Sequence, residues 1–167
     1  NVAIGHNSMV GALNGANENV AIGSNSLTAC VEGHTNVAIG YNAGNAIQDG
    51  GNNVVVGYNS EPSGVDTDNE IIIGASVTGH GANIAVIGNA STTAWHPADD
   101  NGVDLGATNY RFANLYVADM QLSNENTDGN EVDGTTGNWS IQEGEDDLYL
   151  LNRKSGKKYK FKLEEVT

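Results

Sequence analysis

The chain has 167 residues and a mass of 17.4 kDa, room for about one ordinary domain. With 22 glycines, 23 asparagines, 2 prolines and a charged fraction of 17%, it is not a helical protein rich in Ala, Leu, Glu, Lys and Arg; with 38% apolar residues in compact clusters, it is not a disordered chain either. Twenty-one acids against 7 bases give a net charge of −14, and a body this acidic repels nucleic-acid phosphates and attracts cations.

The charge is unevenly placed: Arg111 is the only base in the first 152 residues, and the other six bases lie in the last 15. No apolar run approaches the roughly 20 residues a membrane helix needs, so no helical span is expected. No basic and then apolar leader is visible at the start. Opening at Asn1 inside a motif, the chain is expected to continue a repeat that begins upstream. The lone Cys30 has no partner for an intrachain disulfide and no catalytic companion, so it reads as a small buried thiol.

The first half is built from a repeat. Asn1-Val-Ala-Ile-Gly5, Asn19-Val-Ala-Ile-Gly23, Asn36-Val-Ala-Ile-Gly40 and Asn53-Val-Val-Val-Gly57 are nearly identical. Glu70-Ile-Ile-Ile-Gly74 and Ile84-Ala-Val-Ile-Gly88 follow, and the terminal glycines are 18, 17, 17, 17 and 14 residues apart. Val20 and Ile22 point to one face of a strand and Ala21 to the other. β-Branched residues suit that pleated surface, and Gly then Asn permits a left-handed bend. Strand, bend and second short segment make one coil of a parallel β-solenoid.

One coil cannot stand alone. Burying two or three aliphatic side chains contributes about 1.5–3 kcal/mol each. Ordering 17 backbones costs roughly 1–2 kcal/mol per residue. Ladder hydrogen bonds and faces shared with neighbouring coils must supply the difference. Ala3, Ala21 and Ala38 on the second face predict close approach of another chain. The extra residues of the longer repeats, such as the polar loop 45–52, are expected on the exterior.

These units, read as Asn-Val-Ala-Ile-Gly-x-Asn-Ser/Ala, resemble the head repeats of trimeric autotransporter adhesins of the YadA type over about residues 1–91. The resemblance implies a homotrimeric, left-handed parallel β-roll. That family's usual repeat is shorter, about 14 residues, than most intervals here.

After Ser91 the repeat stops, and residues 92–104, with Trp95, His96, Pro97 and an acidic loop, read as a connector. Residues 104–117 carry Leu105, Gly106, Arg111, Phe112, Leu115 and Tyr116 in the register of a segment that resembles one common in bacteriophage tail fibres. The resemblance implies a structural role, with Arg111 paired or stacked and the aromatics forming a small core. A polar acidic linker, 124–134, leads to strands expected at 139–142, 147–151 and 158–163, with a turn at 153–156. The last strand alternates Tyr159, Phe161 and Leu163 with Lys158, Lys160 and Lys162, one apolar and one cationic face. The cationic face can answer the acidic loop at 143–147, in the same or a neighbouring subunit.

The expected fold is therefore all-β: a parallel β-roll or β-solenoid of about six coils over residues 1–91, homotrimeric, a connector at 92–123, and a small antiparallel β cap at 124–167. Tyr41 and Tyr58 occupy the same repeat position and should stack; with Trp95 they are the candidate receptor-binding aromatics, against the alternative of an aromatic ladder that only stiffens adjacent coils. His6 and His80 are the candidate metal ligands on a trimer axis, against solvated turn histidines. The acidic loops at 66–70, 99–104 and 128–133 offer hard oxygen ligands suited to calcium, but none matches the twelve-residue calcium loop and the solvated reading is preferred. No nucleophile elbow, nucleotide loop or His-Glu-x-x-His occurs, and no catalysis or cofactor is expected.

The function that follows is structure and host attachment in a phage tail fibre, located on the virion. The partners would be copies of itself, other tail proteins and a host surface receptor, for which a glycan is one class, with no nucleic acid and no membrane insertion. The alternatives are a fragment of a bacterial trimeric autotransporter adhesin, whose membrane-anchor strands the chain's end does not resemble, and a purely structural fibre subunit.

Overall fold

The computed structural model describes residues 1–11, 13–100, 102–125 and 127–162. The described residues are all-β and fall into two compact units, Asn1–Ala98 and Asp99–Thr167.

The first unit is a parallel β-solenoid of about five turns. Its rungs are β1 (Val2–Ile4), β2 (Val20–Ile22), β3 (Val37–Ile39), β4 (Val54–Val56), β5 (Ile71–Ile73) and β6 (Ala85–Ile87), stacked in chain order in one six-stranded sheet. The register is the repeat itself: Val20 pairs with Val37, Ala21 with Ala38 and Ile22 with Ile39. Each rung ends at a glycine whose φ excludes a side chain. Gly40 sits at φ +137°, and a Cβ there would overlap the carbonyl oxygen of Gly57 in the next coil. Left-handed residues then turn the chain at two corners of each coil: Asn7, Asn25, Asn42, Asn59 and Ser76 after the strand, and Glu18, Thr35, Asn52, Asn69 and Asn83 before the next.

The strand faces are the reverse of the arrangement predicted above. The middle residue of rungs β2 to β5, Ala21, Ala38, Val55 and Ile72, is fully buried inside the coil, so over these rungs the face predicted to meet another chain is closed to it; Ala3 in the first rung is exposed. The flanking branched residues point outward; Ile4 is 59% exposed, and Val2, Ile39, Ile71, Ile73 and Ile87 are also exposed. The reason is that the segments between rungs already fill the interior: Met9, Leu27, Cys30, Ile47 and Val77 are buried in one cluster with the middle residues, which leaves the flanking branched residues of the rungs outside. Loop 45–52 is likewise not wholly exterior: Ile47 joins Leu27 and Cys30 in the buried cluster, while Gln48 and Asp49 face solvent.

A polar ladder runs beside this core. Asn19, Asn36 and Asn53 are buried and stacked, one per coil. Asn36 Oδ1 accepts from the backbone N–H of Asn53 at 3.0 Å, and its Nδ2 donates to the carbonyl of Gly50 at 2.8 Å. Glu70 ends the ladder, buried, with its carboxylate accepting from the N–H and hydroxyl of Ser63. Every buried side-chain polar atom among the described residues has a partner.

The second unit holds an antiparallel sheet in the order β10-β9-β8-β7, formed by β7 (Asp119–Ser123), β8 (Asn138–Glu143), β9 (Leu148–Asn152) and β10 (Lys158–Lys160). The hairpin between β9 and β10 turns where expected, closing on Gly156 at φ +72°. β7 comes from the stretch read above as connector, so the sheet begins before the linker, which is an excursion between β7 and β8. Lys160 Nζ lies 2.7 Å from Asp147 Oδ2, so the cationic face meets the acidic loop within one chain. That carboxylate raises the pKa of the Lys160 ammonium. Leu163, assigned above to the last strand, lies outside the described residues.

Residues 104–117 form no core of their own. Leu105, Tyr110, Phe112 and Leu115 are exposed and Tyr116 is 91% exposed. Gly106 at φ +91° opens a tight bend closed by reciprocal bonds between Ala107 and Tyr110. Arg111 forms no ion pair among the described residues and lines an open groove with Leu105 and Phe112.

Candidate interaction surfaces

On the solenoid the outward aliphatic residues form a stripe one strand wide and six rungs long, about 24 Å at the usual strand spacing. It carries no charged side chain: the acids of this unit all lie outside its strands. Directly after the glycine corner runs a second row, one residue per coil, made of His6, Ser24, Tyr41, Tyr58 and Ala75. Tyr41 and Tyr58 stack as anticipated, ring centroids 5.5 Å apart and planes 15° from parallel. Both remain exposed, Tyr58 at 58%. Beside them the amides of Asn25, Asn42 and Asn59 form a surface chain of hydrogen bonds at 3.1 and 3.2 Å.

Trp95, the third candidate aromatic, is 67% exposed in a stretch without a strand, and no stacking partner for it occurs among the described residues. His6 and His80 are exposed. No group of three or more His, Cys, Asp or Glu side chains converges among the described residues, so neither the histidines nor the acidic loops assemble a ligand set within one chain.

Two carboxylates on the described surface are tuned by contacts. Burial raises the pKa of Glu61, partly offset by the N–H groups of Ala46 and Asn45 that its carboxylate accepts. Hydrogen bonds from the hydroxyl and N–H of Thr135 and from Asn130 hold Asp133 below the usual carboxylate range. Burial pushes the Cys30 thiol up, and its Sγ donates to the Gly33 carbonyl. That is the environment of an inert thiol.

No protein-family model, curated protein or solved structure matches this chain.

One arrangement lies outside the candidates read from the sequence. In the second unit a cleft of about 710 Å³ is lined by Leu122, Trp139 and Asn152, which face one another across three paired strands, and by Asp133, Gly137 and Lys154. The sequence placed Trp139 in a strand but gave no sign of its neighbours. The signal available was a tryptophan directly following an Asn- and Asp-rich excursion.

Proposed function

We propose that this chain is a segment of a homotrimeric bacteriophage tail fibre, exposed on the virion, which attaches the particle to a host cell by binding and without catalysis. The observation that carries the trimeric fibre is the uncharged aliphatic stripe on the outer face of the solenoid. Apolar surface of this continuity, rimmed by polar residues, marks an interaction site. The occupant argued for is a second and third copy of the same chain. Copies share the repeat pitch, so rungs meet rungs at every coil. They also carry −14 each, and the stripe is where acidic bodies can meet without bringing carboxylates together. The exposed aromatics of 104–117 are supporting evidence of a second surface that copies can cover.

The assignment to a phage fibre, rather than to a bacterial adhesin, rests on the resemblance of residues 105–116. The attachment role rests on that resemblance together with the exposed tyrosine row beside the stripe.

The test is solution mass by light scattering. The chain should run near three times 17.4 kDa, and Ile39→Glu, which places three carboxylates in the aliphatic contact, should shift it to single chains. A monomeric parent chain, or a variant of unchanged mass, would overturn the trimer. Competition with phage adsorption by the isolated chain then separates attachment from a purely structural fibre subunit, which would neither bind cells nor block adsorption.

A further inference from the structure

We propose that the cleft over Trp139 is a saccharide-binding site that takes one pyranose ring of a neutral glycan. The binding stands on the cleft itself; only its use on a cell rests on the attachment reading above.

Leu122 and Trp139 make an apolar floor, and Asn152, paired with Trp139 in the strand register, stands at its edge. A pyranose has a face of C–H groups and a rim of hydroxyls, and this floor and edge match both. Each rim group keeps one polar atom without a partner among the described residues. Asp133 Oδ1 accepts from Asn130 and from the N–H and hydroxyl of Thr135, while Oδ2 takes no bond among the described residues. Asn152 Oδ1 accepts from the N–H groups of Lys154 and Ser155, leaving its Nδ2 free among them. The Trp139 indole N–H has no partner there either. One acceptor and two donors around an aromatic floor suit hydroxyls, which need both.

The site is also held in place. Tyr159, which does not line the cleft, packs against Trp139 at 5.9 Å. Asn124 ties the excursion through the Gly137 N–H and the Thr135 carbonyl. A Cβ at Gly137 would lie 3.0 Å from Trp139 Nε1, so glycine there keeps the indole edge clear. The alternatives fit less well. A phosphorylated ligand would find a single cation, Lys154, already 3.7 Å from Glu125, on a chain of net charge −14. A purely apolar ligand would strand the polar rim.

The experiment is indole ¹⁵N–¹H NMR of the full chain, titrated with methyl α- and β-pyranosides of glucose, galactose, mannose and N-acetylglucosamine. The two indole signals are assigned with Trp95→Phe. At least one pyranoside should move the Trp139 signal saturably, with a Kd on the order of 1 mM for so small a ligand, and leave Trp95 in place. Gly137→Val should weaken this at least about tenfold with the circular dichroism unchanged. No movement, or equal movement of both indoles, overturns the site. Phage-adsorption competition keeps the two readings apart. If parent and Trp139→Ala chains block adsorption equally, attachment stands and the cleft's role in it falls. If the parent does not block, attachment falls, and the titration still decides the cleft.

Discussion

Asn36 is the position at which the interior of the solenoid can be tested most sharply. It is fully buried, and its amide serves two backbone groups in the next coil: Oδ1 accepts from Asn53 N–H and Nδ2 donates to Gly50 C=O. Asn36→Ala leaves both without a partner, at about 1–3 kcal/mol for each stranded group, hence about 2–6 kcal/mol together. For a unit the size of Asn1–Ala98, at roughly 4–8 °C per kcal/mol, the thermal midpoint should fall by at least about 8 °C. Asn36→Asp keeps the shape and the acceptor but replaces the donor. Ionised, the new carboxylate faces the Gly50 carbonyl; protonated, it donates to it as the amide does. Its folded pKa must therefore stand above the unfolded value of about 3.9. Protonation makes the substitution mild below that value. From there the deficit grows as pH rises through the folded pKa, by about 1.4 kcal/mol for each pH step separating the two pKa values. The assay is thermal or urea unfolding of parent, Asn36→Ala, Asn36→Asp and the exposed control Gln48→Ala from about pH 4 to pH 8, with the control expected within about 0.5 kcal/mol of parent. An Asn36→Ala chain as stable as the control, or an Asn36→Asp deficit that is flat across that range, would refute the ladder's role.

Three further substitutions test the glycine corners and Glu61. Gly40→Ala should cost on the order of 3 kcal/mol or more, because strain at φ +137° adds to overlap with the Gly57 carbonyl, whereas Gly15→Ala, at φ +100° with open space around it, carries the strain alone; equal midpoints for the two in urea would show that coil-to-coil contact is not what demands glycine. Burial raises the Glu61 pKa above its unfolded value, so its contribution is fully present below the unfolded pKa and is lost as pH rises through the folded one. Glu61→Gln should therefore flatten the stability profile in the weakly acidic range relative to parent, and superimposable profiles would show that Glu61 titrates alike in the folded and unfolded chain.

The repeat made the fold legible. Six strand-and-glycine units at a nearly constant interval specify parallel pairing in register, because identical segments stack only on one another, and the hairpin around Gly156 followed from alternation alone. What could not be read was which strand face is inside. Val20-Ala21-Ile22 alternates equally well either way, and general hydrophobicity favours burying the branched pair. The deciding fact is the second segment of the coil, whose Leu27, Cys30, Ile47 and Val77 already occupy the interior and leave room for the middle residue of a rung but not for its branched flanks. The buried asparagines were hidden for a related reason: Asn before a strand reads as a turn residue, and only stacking turns Asn19, Asn36 and Asn53 into a ladder. Trp139 was legible as a strand residue but its cleft was not, because the cleft depends on Asn152, 13 residues on, and on the excursion that precedes the strand.

The inversion of the strand faces assigns the two halves of the coil different work. Inside, an apolar cluster that includes Leu27, Ile47 and Ile72 holds the coil together, and the asparagine ladder fixes its pitch, because each bond is made only at one coil spacing. Outside, the branched residues hold apolar area that a single chain leaves in water, at about 25 cal/mol per Å² of unrealised burial. A solenoid built this way has its geometry specified internally and much of its hydrophobic driving force unspent on its surface. Substitutions in the ladder should therefore be felt as loss of the coil, and substitutions in the stripe as loss of association with the coil intact. Asn36→Ala and Ile39→Glu are the pair that separates the two, and if both produced the same unfolded monomer, folding and assembly would be one event rather than two.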